Sequence, residues 1–294
     1  VSSEPKVDGA TLTGVSETAL LTLQVRASEA RRPDAILDDP MAIKLVDSID
    51  FDFAKFGPTR RQDMALRSLA FDRATREYLA RHPAATVVAL AEGLQTSFYR
   101  LTAGQAGDSG AAGEAGNPGE AVVSDQFRWL TVDLPPMIEL RSKLLPPSDR
   151  VTLCAQSALD YSWMDLVPTE DGVFITAEGL LMYLQPSEAM GLITECAKRF
   201  PGGAMMFDLP PAWFAAWARK GMRTSLRYRV PPMPFAMSAS EAAKLADVVP
   251  GVRAVHDVPL PQGRGRLLNE GVRLLQRFPL FDAIRPAFTL LEFG

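Results

Sequence analysis

Between residues 85 and 208, five short apolar runs, at 86–90, 127–132, 151–154, 172–177 and 204–208, alternate with segments of helical character. Runs of this length suit strands, and their nearly continuous apolar character is that of a strand covered on both faces. Strands that alternate with helices pack as a parallel sheet between two helical layers. A doubly wound α/β core is therefore predicted, beginning near residue 85 and running to the end of the chain, with helices starting at about Leu94, Pro135 and Ser187. The tail adds a strand at 252–258, a helical stretch at 266–277 and a strand at 287–293 that returns antiparallel to the sheet.

Upstream the pattern is helical. Ser16 is placed to cap a helix to about Arg31, with Leu20, Leu21, Leu23 and Val25 apolar and Pro33 stopping it. Pro40, as a first-turn proline after Asp38 and Asp39, opens a second helix to Ile49, and a third runs over about 59–81 and ends at His82-Pro83. These three form a helical cap over about 12–82 on a single domain spanning 1–294. Residues 210–240, rich in Pro, Trp, Met and Arg, are predicted as a helix and loop lying over the sheet as a lid. Glycine recurs at every third position from Gly104 to Gly119. With Pro118 as the lone imino acid of that stretch, a collagen triple helix is excluded, and 104–121 reads as a flexible surface insertion.

Composition narrows the function. A formal charge of −4 provides no broad basic footprint for nucleic acid or an anionic membrane. Cys154 and Cys196 lack paired spacing, and His82 and His256 cannot supply a His-rich site, so no metal centre or disulfide framework is expected. No apolar run reaches the roughly 20 residues that span a bilayer, and 1–8 is polar without a signal-peptide core. A cytoplasmic protein acting on a small molecule is expected, its oligomeric state open.

In open α/β sheets ligands bind at the carboxyl ends of the strands. The first strand end reads Leu90-Ala91-Glu92-Gly93-Leu94-Gln95-Thr96, with one glycine where a phosphate-binding turn has three, so a dinucleotide is poorly accommodated and a nicotinamide-dependent oxidoreductase is disfavoured. A nucleoside without phosphates asks only for one close backbone approach and a carboxylate for its ribose. Asp133, at the end of the second strand, lies 40 residues beyond Gly93, or 22 without the 18-residue glycine segment. The shorter spacing is that of a ribose-binding acid; a cap on the helix opening at Leu134-Pro135-Pro136 is the competing role.

With these features in place the chain resembles the leucine carboxyl methyltransferase family of S-adenosylmethionine-dependent O-methyltransferases, and within it the tetracenomycin-type polyketide enzymes. The resemblance rests on Gly14-Val15-Ser16-Glu17-Thr18 with Arg31-Arg32-Pro33-Asp34 and Asp39-Pro40, on Val132-Asp133-Leu134-Pro135 with Arg141, on 157–160 with Trp163, and on Ala177-Glu178-Gly179-Leu180-Leu181-Met182-Tyr183-Leu184. It implies a seven-stranded, mostly parallel sheet with S-adenosylmethionine as cofactor. By that resemblance Arg67 binds the methionine carboxylate, Ala91 and Gly93 meet the cofactor backbone to ligand, Asp133 holds the ribose, Ser157 and Ala158 lie beside the adenine, and Glu178 pairs with the ammonium group. Tyr183, Asp208 and His256 are the candidates for handling the methyl acceptor, a hydroxyl or carboxylate of an aromatic, polyketide-like molecule.

The first turn departs from the family's Gly-x-Gly-Leu-Asp-Thr-Arg: Ala91 stands for the first glycine, Gln95 for the aspartate and Ser97 for the arginine. An alanine is expected at Ala91 only with a negative φ, and Glu92 is expected to add charge beside the cofactor. A methyltransferase-like binding protein with impaired catalysis is the alternative these changes raise.

Overall fold

The computed structural model describes residues 6–10, 12–57, 61–103, 123–265, 269–271 and 281–294. The fold is carried by β1 (Thr86–Leu90), β2 (Arg128–Asp133), β3 (Val151–Ala155), β4 (Val173–Ala177), β5 (Ala204–Leu209), β6 (Val252–Asp257) and β7 (Ala287–Phe293). They form a seven-stranded sheet in the order β3-β2-β1-β4-β5-β7-β6, parallel except for β7, which runs antiparallel to both its neighbours. The chain winds outward from β1 to β3 and then crosses back to lay β4 against β1. The order reverses between those two strands, and their carboxyl ends frame the crevice in which open α/β sheets bind ligands.

Burial follows the pleat. All residues of the central strands β1, β4 and β5 are buried, whereas the edge strand β3 is largely exposed. Val88, Leu90, Leu130, Val132, Ile175, Met205 and Phe207 face one apolar layer, packed with α5 (Pro135–Leu144) and α6 (Pro186–Arg199). Their sequence neighbours Val87, Ala89, Trp129, Phe174 and Met206 face the other, packed with α3 (Asp63–Arg81) and α4 (Ser97–Thr102). Two covered faces are why the strands read as unbroken apolar runs.

The amino-terminal cap comprises α1 (Thr18–Ala30), α2 (Pro40–Ser48) and α3. Ser16 does not cap α1: Glu17 occupies that position without a side-chain cap, and 15–18 form a turn in which Thr18 donates to the Val15 carbonyl at 2.6 Å. The proline-led α2 opens as expected, with Asp39 Oδ1 accepting from the Ala42 amide at 2.9 Å. The helix expected from Leu94 starts three residues later, because residues 91–95 are spent on a turn with two left-handed residues. The expected insertion at 104–121 and most of the expected helix at 266–277 lie outside the described residues. After β5, α7 (Ala212–Arg219) leads into a hairpin closed at Arg223 and Arg229, which docks on the cap through Thr224 donating to the Phe56 carbonyl at 3.0 Å and Tyr228 edge-on to Phe56 at 4.8 Å. Of the aromatic and methionine residues in this segment, Met222, Tyr228, Met233 and Phe235 are core, while Trp213 and Trp217 are about half exposed. No described helix is long and apolar enough to cross a membrane.

Cap and sheet are joined by a buried ionic cluster. Asp39 Oδ2 accepts from Arg26 Nη1 at 2.5 Å and from Arg100 Nη1 at 2.8 Å, and both its oxygens lie within 2.8 Å of the Thr96 hydroxyl. Arg26 also donates to the Leu94 carbonyl at 2.6 Å, and Arg100 makes a two-point pair with Asp72 of α3 at 2.7 and 3.0 Å. Burial opposes the Asp39 charge, yet Arg100 and Arg26 outweigh it and hold the carboxyl below the usual carboxylate range. A depressed carboxylate contributes its stability above the unfolded pKa and loses it as pH falls through the folded value. Replacing Asp39 with alanine leaves two buried guanidinium groups without their common partner and should destabilise the fold by about 3–5 kcal/mol, read from urea unfolding at neutral pH. The stability of the wild type should decline below about pH 4 more steeply than that of the variant. A loss under about 1 kcal/mol would contradict this role for the cluster.

Candidate active site at the carboxyl ends of the strands

The site is assembled from two turns. The first follows β1, where Ala91 at φ +47° and Gly93 at φ +58° bend the chain sharply outward. The Ala91 amide donates to the Val132 carbonyl at 2.8 Å, tying the turn to β2. Asp133, at the end of β2, accepts from the Gly93 amide through Oδ2 and from the Leu134 amide through Oδ1, both at 2.7 Å. It thus fastens the turn and holds the amide of Leu134, the residue that precedes α5, without capping the helix: the cap position is Leu134 and carries no side-chain bond. Burial raises the pKa of Asp133, with the Gly93 and Leu134 amides opposing. Each carboxylate oxygen retains a lone pair for a further donor.

Two expectations about this turn are corrected. Ala91 does not have a negative φ; it is the non-glycine residue with a positive φ among the described residues. Left-handed backbone costs an L-residue roughly 1–2 kcal/mol, because Cβ crowds the following carbonyl. The charge of Glu92 is not left open beside the turn, because Arg141 meets it inside the protein. Glu92 points back under the turn, where its Oε2 accepts from the Thr131 hydroxyl at 2.6 Å and the Trp129 indole at 3.3 Å and lies 2.9 Å from Arg141 Nη2.

The second turn follows β4. Glu178 Oε1 accepts from Arg67 Nε at 2.8 Å and from Gln95 Nε2 at 2.5 Å, and lies 3.3 Å from the Ser68 hydroxyl. Asp208, near the end of β5, accepts from the Gly179 amide at 2.7 Å, with its Oδ2 3.7 Å from Arg67 Nη1. Gly179 has φ +69°, and a Cβ there would sit 3.1 Å from Arg67 Nη1, so the guanidinium packs against bare backbone. Burial works against the Arg67 charge, but Glu178 and Asp208 outweigh it and raise its pKa. Asp208 is pushed up by burial, with Arg67 opposing. Among the described residues the two Nη atoms of Arg67 donate no hydrogen bond. The cluster therefore presents two carboxylates to one guanidinium, together with free planar donors.

Tyr183 ends the short helical turn at Leu181–Tyr183 and is electrostatically coupled to Arg67 and Asp208; burial raises its pKa, so the phenol keeps its proton. Ser157 and Ala158 lie on the turn leaving β3. That turn is fixed by the Asp160 amide on the Ser157 carbonyl at 3.0 Å and by the indole of the fully buried Trp163 on the Ala158 carbonyl at 3.0 Å. The structure thus brings Arg67, Asp133, Glu178, Tyr183 and Asp208 to the same end of the sheet, with Ala91, Gly93, Ser157 and Ala158 on adjoining turns. It does not bring His256 there. That residue sits within the edge strand β6 with its side chain half exposed, 3.2 Å from Glu292, which pairs with Ala204 at the opposite end of β5. Ser68 was not legible from sequence as part of the site; Gln95 and Glu92 were legible as departures in the turn, but their partners were not.

Strand order, the antiparallel β7 and the crevice between β1 and β4 define a class I methyltransferase fold. In agreement, the chain superposes on a crystal structure from Thermobifida fusca assigned as a methyltransferase with a TM-score of 0.54, covering 94% of each chain at 13% identity. Residues 19–107 match the leucine carboxyl methyltransferase family model. The chain is 32% identical over 245 residues, 82% of each protein, to the tetracenomycin polyketide synthesis O-methyltransferase TcmP of Streptomyces glaucescens. It is 28% identical to the S-adenosyl-L-methionine-dependent methyltransferase dpfgK of Gibberella zeae, over 68% of this chain and 67% of that protein. The chain belongs to the leucine carboxyl methyltransferase family, in its tetracenomycin-type branch, and is an S-adenosylmethionine-dependent methyltransferase.

The geometry of the first turn gives a direct test. Glycine tolerates the left-handed backbone of position 91 but leaves a more flexible unfolded chain, so Ala91→Gly should stabilise the protein by about 1 kcal/mol net. Urea or thermal unfolding measures this. Destabilisation by the glycine would contradict the positive φ.

Proposed function

We propose that the chain transfers the methyl group of S-adenosylmethionine to an oxygen of a small, aromatic, polyketide-like acceptor in the cytoplasm, with neither nucleic acid nor membrane as partner. The observation that carries this reading is the charge arrangement at the strand ends: Arg67 between Glu178 and Asp208, beside a turn whose glycine amide is held by Asp133. The donor set fits the cofactor group by group. Glu178 suits the ammonium, the Nη atoms of Arg67, which donate no hydrogen bond among the described residues, suit the carboxylate, and the remaining lone pairs of Asp133 suit the ribose diol. Gly93 would have its added Cβ 3.0 Å from that of Ala19, so the α1 side of the turn admits only bare backbone. Ser157 and Ala158 flank the adenine end, and the excess of carboxylate favours a ligand that carries positive charge on sulfur and nitrogen.

When bound, the cofactor supplies an activated methyl on a sulfonium. The residues of the chain bind, orient and exclude water. Tyr183 holds its proton, and Asp208, raised by burial, is opposed by Arg67 and by the Gly179 amide that it accepts from. This arrangement favours an acceptor oxygen that is anionic or readily ionised: a carboxylate, or a phenol acidified by its ring. The hairpin of the 210–240 segment, seated on Phe56, serves as the lid over that acceptor.

Asp133→Ala and Glu178→Ala should each weaken S-adenosylmethionine binding by about tenfold or more while leaving the folded circular dichroism spectrum in place. Isothermal titration of both variants measures this, and wild-type affinity in either would contradict its assigned role. The binding-protein alternative is separated by incubating the holoprotein with aromatic hydroxy acids: tight cofactor binding with no methyl transfer to any of them would favour it.

A further inference from the structure

Two unfavourable features stand side by side in the first turn. Ala91 is left-handed, and the next residue buries a carboxylate whose side chain is 4% exposed against an arginine that is 2% exposed. We propose that Glu92 and Arg141 are positioning residues for the cofactor turn, and that their ion pair is what allows an alanine to occupy a position built for glycine. The inference rests on the reading of this turn as the cofactor site.

Arg141 reaches in from α5 and spans the turn. Its Nη1 donates to the Gly93 carbonyl at 2.7 Å and to the Gln95 carbonyl at 3.0 Å, while Nη2 meets Glu92 Oε2 at 2.9 Å. Glu92 is rooted in turn in β2 through Thr131 and Trp129. Both backbone polar groups of Gly93 are consequently fixed, the amide by Asp133 and the carbonyl by Arg141. The coupling to Ala91 follows from chain geometry. The φ of Ala91 sets the direction in which the chain carries Glu92, so relaxing it to a negative value swings the carboxylate out of its seat and leaves Arg141 buried and unpaired. Losing one partner of such a pair is far more unfavourable than keeping one alanine in left-handed backbone. Glu92, whose Oε1 has no partner among the described residues, lines a void of about 10 Å³ together with Thr75, Gln95, Ser97 and Glu178, room for a single water.

The test is a thermodynamic cycle read by titration calorimetry with S-adenosylhomocysteine. Glu92→Gln should weaken binding by about tenfold or more, because the turn relaxes toward negative φ at Ala91. Ala91→Gly in the same chain should restore affinity to within about threefold of the wild type, since glycine holds the left-handed turn without the brace. A merely structural role for Glu92 would lower the thermal midpoint without any rescue of affinity by the glycine. Should Glu92→Gln not fold, Thr131→Val removes one of the hydrogen bonds seating Glu92 and is expected to show the same loss and the same rescue on a smaller scale. Wild-type affinity in the variant that folds, or a double variant as weak as the single one, overturns the proposal. Failure of the wild type to bind S-adenosylhomocysteine overturns instead the cofactor reading on which it rests.

Discussion

The carboxylate of Asp39, shared by two buried arginines, is the constraint on which the site depends. The sheet supplies the strand ends, whereas Arg67, on the proposed reading the cation for the carboxylate of the ligand, comes from α3 in the cap. Helices of a cap packed only by apolar contacts are free to slide, whereas a guanidinium and carboxylate fixed at 2.5–2.8 Å on both sides permit a single register. Arg26 hands the connection to Leu94, Thr96 joins from the start of α4, and Arg100 passes it to Asp72, one helical turn beyond Ser68 and Arg67. Burying such a cluster in place of apolar side chains brings little net stability; its effect is to make misplacement of the cap unfavourable.

The two turns that form the site solve the same problem by different means. Each must bring backbone close to a ligand or a guanidinium, which demands left-handed φ. The turn after β4 meets the demand with Gly179, where the absence of Cβ lets Arg67 lie against the backbone. The turn after β1 meets it with an alanine, held in place by neighbours: Asp133 and Arg141 on either side of Gly93, and Glu92 drawn beneath. The charge balance then divides by layer. Below the turn, Glu92 and Arg141 cancel; above it, Glu178, Asp208 and Asp133 outnumber Arg67.

Much of this architecture was legible in the sequence because hydrophobic periodicity is a local property. The five parallel strands were placed to within a residue at either end, since each is a short apolar run, and in β1, β4 and β5 both faces are covered. Asp133 and Glu178 were legible because strand ends in a parallel sheet point to one crevice, whatever their surroundings. What could not be read is whatever depends on direction or on distant partners. The side to which Glu92 turns is decided by the φ of Ala91, and a lone alanine in a loop gives no sign of it. The partners of Asp39 lie up to 61 residues away on separate helices, and no spacing rule links them. His256 looked available because it is one of two histidines. Only the antiparallel return of β7 between β5 and β6 puts it on the edge strand, opposite Leu290 and two strands away from Asp208.

The scarcity of histidine fits the site that the fold builds. Among the described residues the strand-end cluster holds no histidine: Arg67 is held charged by two carboxylates, Tyr183 is held neutral by burial, and Asp208, raised by burial, is opposed by Arg67 and the Gly179 amide. On the proposed reading that is sufficient, because the reactive group arrives already activated and the acceptor oxygen arrives ionised or nearly so. Selection for such a reaction acts on placement more than on proton chemistry. A chain under that demand concentrates its buried charges where they fix backbone, at Asp39, Glu92 and Arg141, and leaves its ligand-facing charges few and unopposed by water.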